Sequence, residues 1–314
     1  MPKPKVLIAD GLAEEGINIL KGAADVDSNP KITPEELIAA LPAYQGLVVR
    51  SRTKVTAHVI EAGTDLKVIG RAGVGVDNID VAAAVAKGIT VVNSPLAATV
   101  SVAELTLGLM LALAREIPRA DAAIKKGEWL KSGLAGVELY GKTLGLVAVG
   151  RIGGAVAGRA VAMGMKVMAY DPFLSDDDVR RRQAHPTTLD ELLAASDYIS
   201  IHSPLTPQTK NLINEEAFTK MKKGVRLVCA ARGGVIDEAA LLAALESGKV
   251  AGAALDVFET EPPGATPLIA HPRVIGTPHV GAQTAEAQVR AGIDIAEEVS
   301  AVLIGKEPRW RVTA

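Results

Sequence analysis

Short apolar segments rich in Val and Ile alternate, along the first part of the chain, with segments whose apolar residues recur at helical spacing. The apolar segments are KVLIAD (5–10), GLVVRS (46–51), KVIGRAG (67–73) and ITVVNSP (89–95), and the segments between them are 13–21, 55–63 and 78–87. This alternation is typical of βαβ units, in which parallel strands form one sheet and helices cover both faces. The sequence therefore predicts an α/β domain with a doubly wound parallel sheet.

A second series of apolar segments follows a long apolar stretch from Thr99 to about Lys126, which is predicted to be a helix leading from one domain to the other. The series comprises TLGLVAVG (143–150), KVMAYDP (166–172), LDELLAAS (189–196), YISIHSP (198–204), VRLVCAARGG (225–234), AGAALDVFE (251–259) and VIGTPH (274–279). We interpret these segments as strands of a second parallel sheet.

The segment EAQVRAGIDIAEEVSAVLIGK (286–306) has helical spacing and most simply returns to the first domain. We therefore expect a discontinuous domain made of residues 1–96 and 288–314, with residues 97–287 inserted into it. Two domains agree with the length of 314 residues, since single domains typically hold about 100–200 residues.

Composition excludes several classes of function. The chain has 34 Lys and Arg against 36 Asp and Glu, and this balance does not favour a nucleic-acid partner. The apolar residues, 48% of the total, are interrupted by Gly, Pro and charge, so no membrane span is predicted. The single cysteine, Cys229, cannot form an internal disulfide, and the N-terminal segment lacks the pattern of a signal peptide. We expect a cytoplasmic protein, and no His, Cys or Asp spacing suggests a metal site.

The segment 143–171 has the pattern of a dinucleotide-binding unit. A predicted strand leads into the turn A-V-G-R-I-G (148–153), a helix and a second strand follow, and Asp171 stands 18 residues after Gly153. The helix N-terminus suits a pyrophosphate, Gly150 admits it close to the backbone, and Gly153 lets helix and strand approach. Asp171 would accept hydrogen bonds from a ribose and repel a 2′-phosphate, which favours NAD over NADP. An ordinary α/β turn with glycines for packing is the alternative.

Three polar segments follow predicted strands, where ligands bind in open α/β sheets. They contain Arg232, Glu261 and His279. Hydride transfer from a 2-hydroxy acid needs a base for the hydroxyl proton, a carboxylate that orients the base and a fixed cation for the substrate. These three residues supply those types, although each also has an ordinary structural interpretation: an ion pair for the arginine, a surface acid for the glutamate, a loop residue for the histidine.

Motifs over nearly the whole chain resemble the D-isomer-specific 2-hydroxyacid dehydrogenases, and within that family the phosphoglycerate dehydrogenases. The motifs include VIGRAGVGVDNID, VAELT, YGKTLG, GRIG, AYDP, CAARGGVIDE, AGAALDVFETEPP and TPHVGAQTAEAQ. The resemblance implies a Rossmann NAD-binding domain inserted in a flavodoxin-like substrate-binding (lid) domain. It also implies that Arg232 binds the substrate, that His279 exchanges the proton, and that Glu261 orients the imidazole.

The resemblance also assigns ligand-binding residues. Those implied for NAD are Gly150, Arg151, Ile152, Gly153, Asp171, His202, Ala230, Asp256 and Gly281. For substrate, the resemblance implies Arg71, Gly73, Val74, Gly75 and Lys131, and Arg50 and Ser51 are candidates for a phosphate from their own chemistry at the end of GLVVRS. Guanidinium forks suit a phosphate and exposed backbone N–H groups suit a carboxylate. A solvent-facing basic loop is the alternative for Arg50 and Ser51. Lys131 stands where the family commonly has an arginine that reaches across a dimer.

Four departures from the family pattern surround these positions: Ala148, Ala97-Ala98, Gly154 and Cys229. If φ is positive at Ala148, its methyl group costs on the order of 1 kcal/mol, and we expect weakened NAD affinity. Cys229 follows an apolar strand and is interpreted as a small buried thiol.

Three functions fit the pattern. The first is oxidation of D-3-phosphoglycerate by NAD, at the entry to serine biosynthesis; the second is reduction of glyoxylate or hydroxypyruvate. The third, from another class, is NAD sensing by a binding protein of the same superfamily. The stretch 99–118 is apolar nearly all round, which favours burial in a homodimer or homotetramer.

Overall fold

The computed structural model describes residues 3–313, which form two compact units. Unit 1 comprises the described residues up to Ala98 and from Ala282 onward, and unit 2 runs from Thr99 to Gly281. The boundaries predicted at 96/97 and 287/288 thus shift to 98/99 and 281/282. The reason is local hydrogen bonding in unit 1, where Arg290 donates to the Ala97 carbonyl and Gln288 to the Ala282 carbonyl.

Unit 1 begins with five short strands and four helices that alternate as predicted. The strands are β1 (Lys5–Ile8), β2 (Asp25–Ser28), β3 (Gly46–Val49), β4 (Val68–Arg71) and β5 (Thr90–Asn93), and the helices are α1 (Glu14–Ala23), α2 (Pro34–Ala40), α3 (Ala57–Ala62) and α4 (Val81–Ala86). The five strands are parallel in the order β5-β4-β3-β1-β2, the flavodoxin-like order.

Unit 2 contains seven strands and eight helices. The strands are β6 (Thr143–Val147), β7 (Lys166–Tyr170), β8 (His185–Pro186), β9 (Tyr198–Ile201), β10 (Val225–Cys229), β11 (Val250–Leu255) and β12 (Val274–Gly276). The helices are α5 (Thr99–Arg115), α6 (Ile117–Lys125), α7 (Arg151–Ala162), α8 (Asp176–Arg181), α9 (Leu189–Ala195), α10 (Glu215–Lys220), α11 (Glu238–Glu246) and α12 (Pro267–Ala270). All strands are parallel in the order β12-β11-β10-β9-β6-β7-β8, a doubly wound Rossmann order that reverses beside β6.

The chain returns to unit 1 through α13 (Ala285–Leu303) and ends in β13 (Arg311–Val312), which pairs antiparallel with β5. The predicted closing helix is therefore present, with its N-terminus capped by Thr284. Its inner face, including Ile295 and Val299, joins the buried residues of β1, β3 and β4. Because this helix covers one face of the first sheet, unit 1 needs both ends of the chain.

Two predicted elements differ in the structure. The segment LDELLAAS, interpreted as a strand, is helix α9, because Thr188 and Glu191 form a capping box that starts a helix there. The single helix predicted from Thr99 to about Lys126 is broken into α5 and α6 at Glu116, which has φ +50° and is followed by a proline within the first turn of α6. Helix α5 also stays within unit 2 and leads to no other domain.

Candidate active site

The nucleotide-binding pattern folds into the turn that connects β6 to α7. Ala148 has φ +68°, the left-handed conformation in which a methyl group costs free energy. Gly150 is the N-cap of α7, and a Cβ placed there would meet only open space. Gly153 lies against the Ala148 carbonyl, 2.6 Å from where its own Cβ would be. The turn therefore presents a bare backbone surface at the beginning of a helix.

Asp171 follows β7 and holds this turn in place. One carboxylate oxygen accepts the N–H of Val149 at 3.0 Å, and the other accepts the N–H of Phe173 at 3.1 Å. A carboxylate has about four lone-pair sites, so the remaining ones are free for ribose hydroxyls. The predicted ribose-binding residue thus also stabilises the glycine turn.

His202 and Ser203 follow β9 beside the same turn. The His202 ring lies 3.5 Å from the Cβ position of Gly153, and its Nε2 is 3.0 Å from the Ser200 hydroxyl. Burial lowers the pKa of His202 to about 4 because the charged imidazolium is poorly solvated there. The buried Ser203 hydroxyl has no hydrogen-bond partner among residues 3–313.

These features fit a dinucleotide. The bare Gly150 surface, the first-turn N–H groups of α7, the Asp171 carboxylate and the unpaired Ser203 hydroxyl supply the groups needed for pyrophosphate and ribose. Ser203 was missed from the sequence, because only the structure shows that its hydroxyl is buried and unpaired.

Glu261 and His279 form the predicted acid and base pair. Nδ1 of His279 lies 2.8 Å from Oε2 of Glu261. A carboxylate can only accept, so Nδ1 donates and Nε2 is left to exchange a proton. The other oxygen of Glu261, Oε1, accepts the N–H of Phe258 at 3.2 Å. Both oxygens are therefore fixed, and with them the orientation of the imidazole.

Asp256 organises the loop that carries His279. Its side chain, in a residue only 1% exposed, accepts the Thr277 hydroxyl at 2.6 Å and the N–H groups of Val280 and Gly281 at 2.8 Å each. The N–H of His279 also donates to the Asp256 carbonyl. His279 has φ +53°, a strained conformation for a residue with a side chain. These hydrogen bonds hold the base in that conformation.

Arg232 lies in the loop after β10, next to the loop that carries Glu261. The adjacent Gly233 approaches the Phe258 carbonyl so closely that any Cβ would overlap it. Arg232 donates from one Nη to the Ala231 carbonyl at 2.6 Å. Unit 2 therefore carries all three residues predicted to perform chemistry, on loops that follow β10, β11 and β12.

The predicted phosphate-binding residues lie in unit 1, in the loop after β3. The Asp10 side chain, 2% exposed, accepts the N–H of Arg50 at 2.7 Å and forms a 2.9 Å ion pair with Arg52. Asn78 donates to the Arg50 carbonyl at 2.8 Å. The Arg50 guanidinium extends toward Gln283, 3.5 Å away, and its pKa is lowered by partial burial. Ser51 is exposed.

The loop from Ala72 to Gly75 follows Arg71, the last residue of β4, and is held by residues at the end of β5. Asn93 donates to the Val74 carbonyl at 2.6 Å, and the N–H of Ser94 donates to the Gly73 carbonyl at 2.9 Å. Gly73 has φ +147° and lies against the Arg71 side chain. The structure thus brings the unit 1 candidates to the ends of adjacent parallel strands.

The remaining predicted residues are described by their position and burial. Lys131 is exposed in a short 3₁₀ turn of unit 2. Ala230 immediately follows β10, and Ala97 and Ala98 are buried. Cys229 is buried, as predicted, and burial raises the pKa of its thiol to about 11. At Gly154 the Arg182 side chain occupies the space above the helix.

Two further properties concern membrane spans and metal ligands. No helix within residues 3–313 is long and apolar enough to span a bilayer. In the same part of the chain, no group of three His, Cys, Asp or Glu side chains is arranged to hold a metal ion.

Known proteins similar to this chain are found among dehydrogenases. Residues 107–281 match the family model described as D-isomer specific 2-hydroxyacid dehydrogenase, NAD binding domain. The chain is 51% identical over 303 residues to D-3-phosphoglycerate dehydrogenase of Methanocaldococcus jannaschii, covering 96% of this chain and 58% of that protein. It is 48% identical over 308 residues to D-3-phosphoglycerate dehydrogenase of Synechocystis sp., covering 98% of this chain and 56% of that one. The chain thus spans little more than half the length of these relatives.

A solved structure extends the similarity over whole chains. A glyoxylate reductase from Paecilomyes thermophila superposes with a TM-score of 0.91 at 31% identity, covering 99% of both chains.

Proposed function

The chain belongs to the D-isomer specific 2-hydroxyacid dehydrogenases, and we propose that it oxidises D-3-phosphoglycerate to 3-phosphohydroxypyruvate with NAD, the first step of serine biosynthesis. The observation that carries this proposal is the His279–Glu261 hydrogen bond of 2.8 Å on a loop fixed by buried Asp256. A base oriented by a carboxylate suits removal of a hydroxyl proton.

The residues of unit 2 divide the chemistry between them. Nε2 of His279 takes the proton from the C2 hydroxyl of the substrate, and Glu261 stabilises the imidazolium that results. Arg232 binds the substrate carboxylate and polarises the C2 oxygen. When bound, NAD supplies the hydride acceptor. The turn at Gly150, with Asp171 and Ser203, would hold it.

Unit 1 supplies the specificity for a phosphorylated substrate in this proposal. Arg50 binds the distal phosphate, because a planar guanidinium pairs with phosphate through two parallel hydrogen bonds. Ser51 adds a hydroxyl donor, and the loop from Arg71 to Gly75 binds the carboxylate through backbone N–H groups. Lys131 contributes a further positive charge from a second copy of the chain.

Reduction of glyoxylate or hydroxypyruvate is a second candidate. The structural similarity to a glyoxylate reductase over 99% of both chains favours it. Such a reductase shares the base pair but needs no phosphate-binding residue, so Arg50 distinguishes the two activities.

The first experiment follows NADH absorbance with purified protein and compares 3-phosphohydroxypyruvate, hydroxypyruvate and glyoxylate, with NADPH in parallel. We expect a strong preference for the phosphorylated substrate and for NADH. Equal rates with all three substrates would favour the reductase. Binding of NADH without turnover of any substrate would favour the third candidate, an NAD-sensing protein.

Replacing Arg50 tests substrate specificity. We expect Arg50→Gln to raise KM for 3-phosphoglycerate by on the order of a hundredfold, because a charge-assisted pair of hydrogen bonds is lost. KM for glycerate should change little. Lys54→Gln, an exposed neighbour in the same loop, is the matched control. An equal effect on both substrates would exclude the phosphate-binding role.

Oligomeric state and location are part of the same proposal. Helix α5 buries one side against α7 and the sheet of unit 2, but Val100 and Leu111 remain exposed on it, as do Ile117 and Ile124 on α6. We expect these side chains to be covered in a homodimer or homotetramer. Light scattering at micromolar concentration tests this, and a monomer would contradict it. Location in the cytoplasm stays a prediction.

A further inference from the structure

The loop that carries His279 is held from a second side by the beginning of helix α5. The hydroxyl of Ser101, in the first turn of that helix, donates to the Gly281 carbonyl at 2.5 Å. Ser101 is 5% exposed, and its hydroxyl makes no other hydrogen bond among the described residues. A buried serine near a helix N-terminus more commonly bonds to its own helix. The Ser101 hydroxyl instead binds a loop 180 residues away in sequence.

Ser101 completes the fixation of this loop. Asp256 holds the N–H groups of Val280 and Gly281, whereas Ser101 holds the carbonyl of Gly281. A Cβ added to Gly281 would lie 3.1 Å from the Val102 side chain, so the loop packs closely against α5 at this point. The N–H and the C=O of Gly281 are therefore both bound, two residues from the strained backbone of His279.

Strain at a functional residue persists only where the surrounding structure fixes it from several directions. His279 has φ +53°, and relaxation of this torsion would move its imidazole away from Glu261. Asp256 fixes the peptide group that precedes Gly281 but not the following one, which carries the Gly281 carbonyl. The Ser101 hydroxyl fixes that second peptide group.

We propose that Ser101 is a positioning residue for His279, which acts through the Gly281 carbonyl to keep the imidazole aligned with Glu261. The proposal rests on the proposed function for its kinetic consequences. Its structural consequence, the fixed orientation of the imidazole, holds with or without substrate.

The matched control lies in the same helix. Thr106 is fully buried, and its hydroxyl donates to the Val102 carbonyl of α5 itself at 2.8 Å. Ser101→Ala and Thr106→Val each remove one buried hydroxyl from α5 with little change in volume. Only the first removes a hydrogen bond to the loop of His279.

The first measurement needs no substrate. ¹⁵N chemical shifts of the imidazole of His279 report which ring nitrogen carries the proton, and a His279→Gln variant assigns the signal among five histidines. We expect wild type and Thr106→Val to show one tautomer, protonated on Nδ1. In Ser101→Ala we expect a mixture of the two tautomers. A single Nδ1 tautomer in Ser101→Ala would overturn the proposal.

The second measurement is kinetic, with the substrate on which wild type is most active. We expect Ser101→Ala to lower kcat by on the order of ten- to a hundredfold with little change in the Kd for NADH, since misplaced catalytic groups slow chemistry to that extent. Ser101→Thr should restore most of the rate. Equal loss of kcat in Thr106→Val would show that any buried hydroxyl of α5 matters, and would overturn the proposal. An inactive wild type would instead refute the proposed function, and the NMR comparison would still decide the role of Ser101.

Discussion

At the scale of single residues, the two positions with the clearest energetic signature both adjoin the nucleotide-binding turn. Ala148 occupies a backbone conformation that favours glycine, with φ +68°. His202 is held neutral by burial beside Gly153. The positive φ of Ala148 and the burial of His202 each lower the stability of the native protein under defined conditions, and both effects can be measured.

Replacing Ala148 with glycine should relieve backbone strain. We expect Ala148→Gly to raise the free energy of unfolding by about 1 kcal/mol, because the left-handed conformation costs residues with a Cβ roughly that much. The Kd for NADH should fall as the turn relaxes. Ala239→Gly on an exposed face of α11 is the control, and should lower stability by about 1 kcal/mol. No gain in stability or NADH affinity in Ala148→Gly would refute the strain argument.

His202 should make stability sensitive to acid. Its pKa is about 4 in the native protein and about 6.5 when unfolded, so between these values the unfolded chain binds a proton that the native chain does not. The free energy of unfolding should therefore fall as pH drops from 6.5 to 4, by on the order of 3 kcal/mol, and this contribution should be constant above that range.

Urea denaturation between pH 4 and pH 7.5 measures this dependence. Carboxylates also titrate in part of this range, so the pH profile of wild type is compared with that of His202→Gln. The free energy of unfolding of His202→Gln should fall less than that of wild type as pH drops. His58→Gln, at an exposed position of α3, should behave as wild type. Parallel pH profiles for His202→Gln and wild type would contradict the assignment.

At the scale of secondary structure elements, unit 1 depends on the crossing of its first and last long helices. Helices α1 and α13 approach so closely at Gly16 and Gly292 that a Cβ on Gly16 would overlap the Gly292 backbone. Gly22, in the same helix α1, faces open space. Alanine substitutions at Gly16 and Gly22 should therefore change the free energy of unfolding in opposite directions.

Gly16→Ala should lower the free energy of unfolding by about 1–3 kcal/mol, the usual cost of overpacking a tight contact. Gly22→Ala should raise it by up to about 1 kcal/mol, because alanine is the better helix former. Fluorescence of Trp310 during urea unfolding reports on unit 1 once Trp129, the other of two tryptophans, is replaced by Phe. Similar effects of the two substitutions would refute the close crossing.

Element types followed from the sequence where a strand is short, apolar and flanked by turn residues. The pattern failed where a local signal competed with it. The apolar residues of LDELLAAS are compatible with a strand, but the capping box of Thr188 and Glu191 starts a helix. Likewise, helical periodicity continues through Glu116, where φ is +50°, and the break between α5 and α6 is marked in the sequence by Pro118 in the first turn of α6.

Residues of the candidate site could be predicted where the reaction requires a particular type of side chain. Residue type suggested Glu261 and His279 as a carboxylate and a base, the family resemblance implied that they pair, and the structure places them 2.8 Å apart. Asp10 and Ser101 were not predicted. Their partners lie 40 and 180 residues away, and nothing in the local pattern distinguishes a positioning Asp or Ser from an ordinary one.

At the scale of the whole molecule, the buried side chains within residues 3–313 form four hydrophobic clusters, two in each unit. The clusters of unit 2 surround its seven-stranded sheet, and those of unit 1 surround its six-stranded sheet. Each unit therefore has the buried core of a domain. A ligand of unit 2 should stabilise the protein through that unit.

Calorimetry with and without cofactor tests whether a ligand of unit 2 stabilises that unit. At a hundred times its Kd, NADH should add about 2.7 kcal/mol to the stability of the unit that binds it, and the corresponding transition should move to higher temperature. NADPH at the same concentration is the matched control and should produce a smaller shift, because in our proposal Asp171 repels its 2′-phosphate. Equal shifts with the two cofactors would contradict the role of Asp171.

The double use of Asp171 has an evolutionary consequence. Its carboxylate repels a 2′-phosphate in our proposal, and it also accepts the Val149 N–H that fixes the glycine turn. A substitution that removes this carboxylate to admit NADP would also leave the Val149 N–H without its acceptor. A mutational path toward NADP must therefore pass through a less stable intermediate, or first acquire a second acceptor for Val149. In our proposal, the same carboxylate that selects NAD also maintains the glycine turn, so a change of cofactor at this position would disturb the fold.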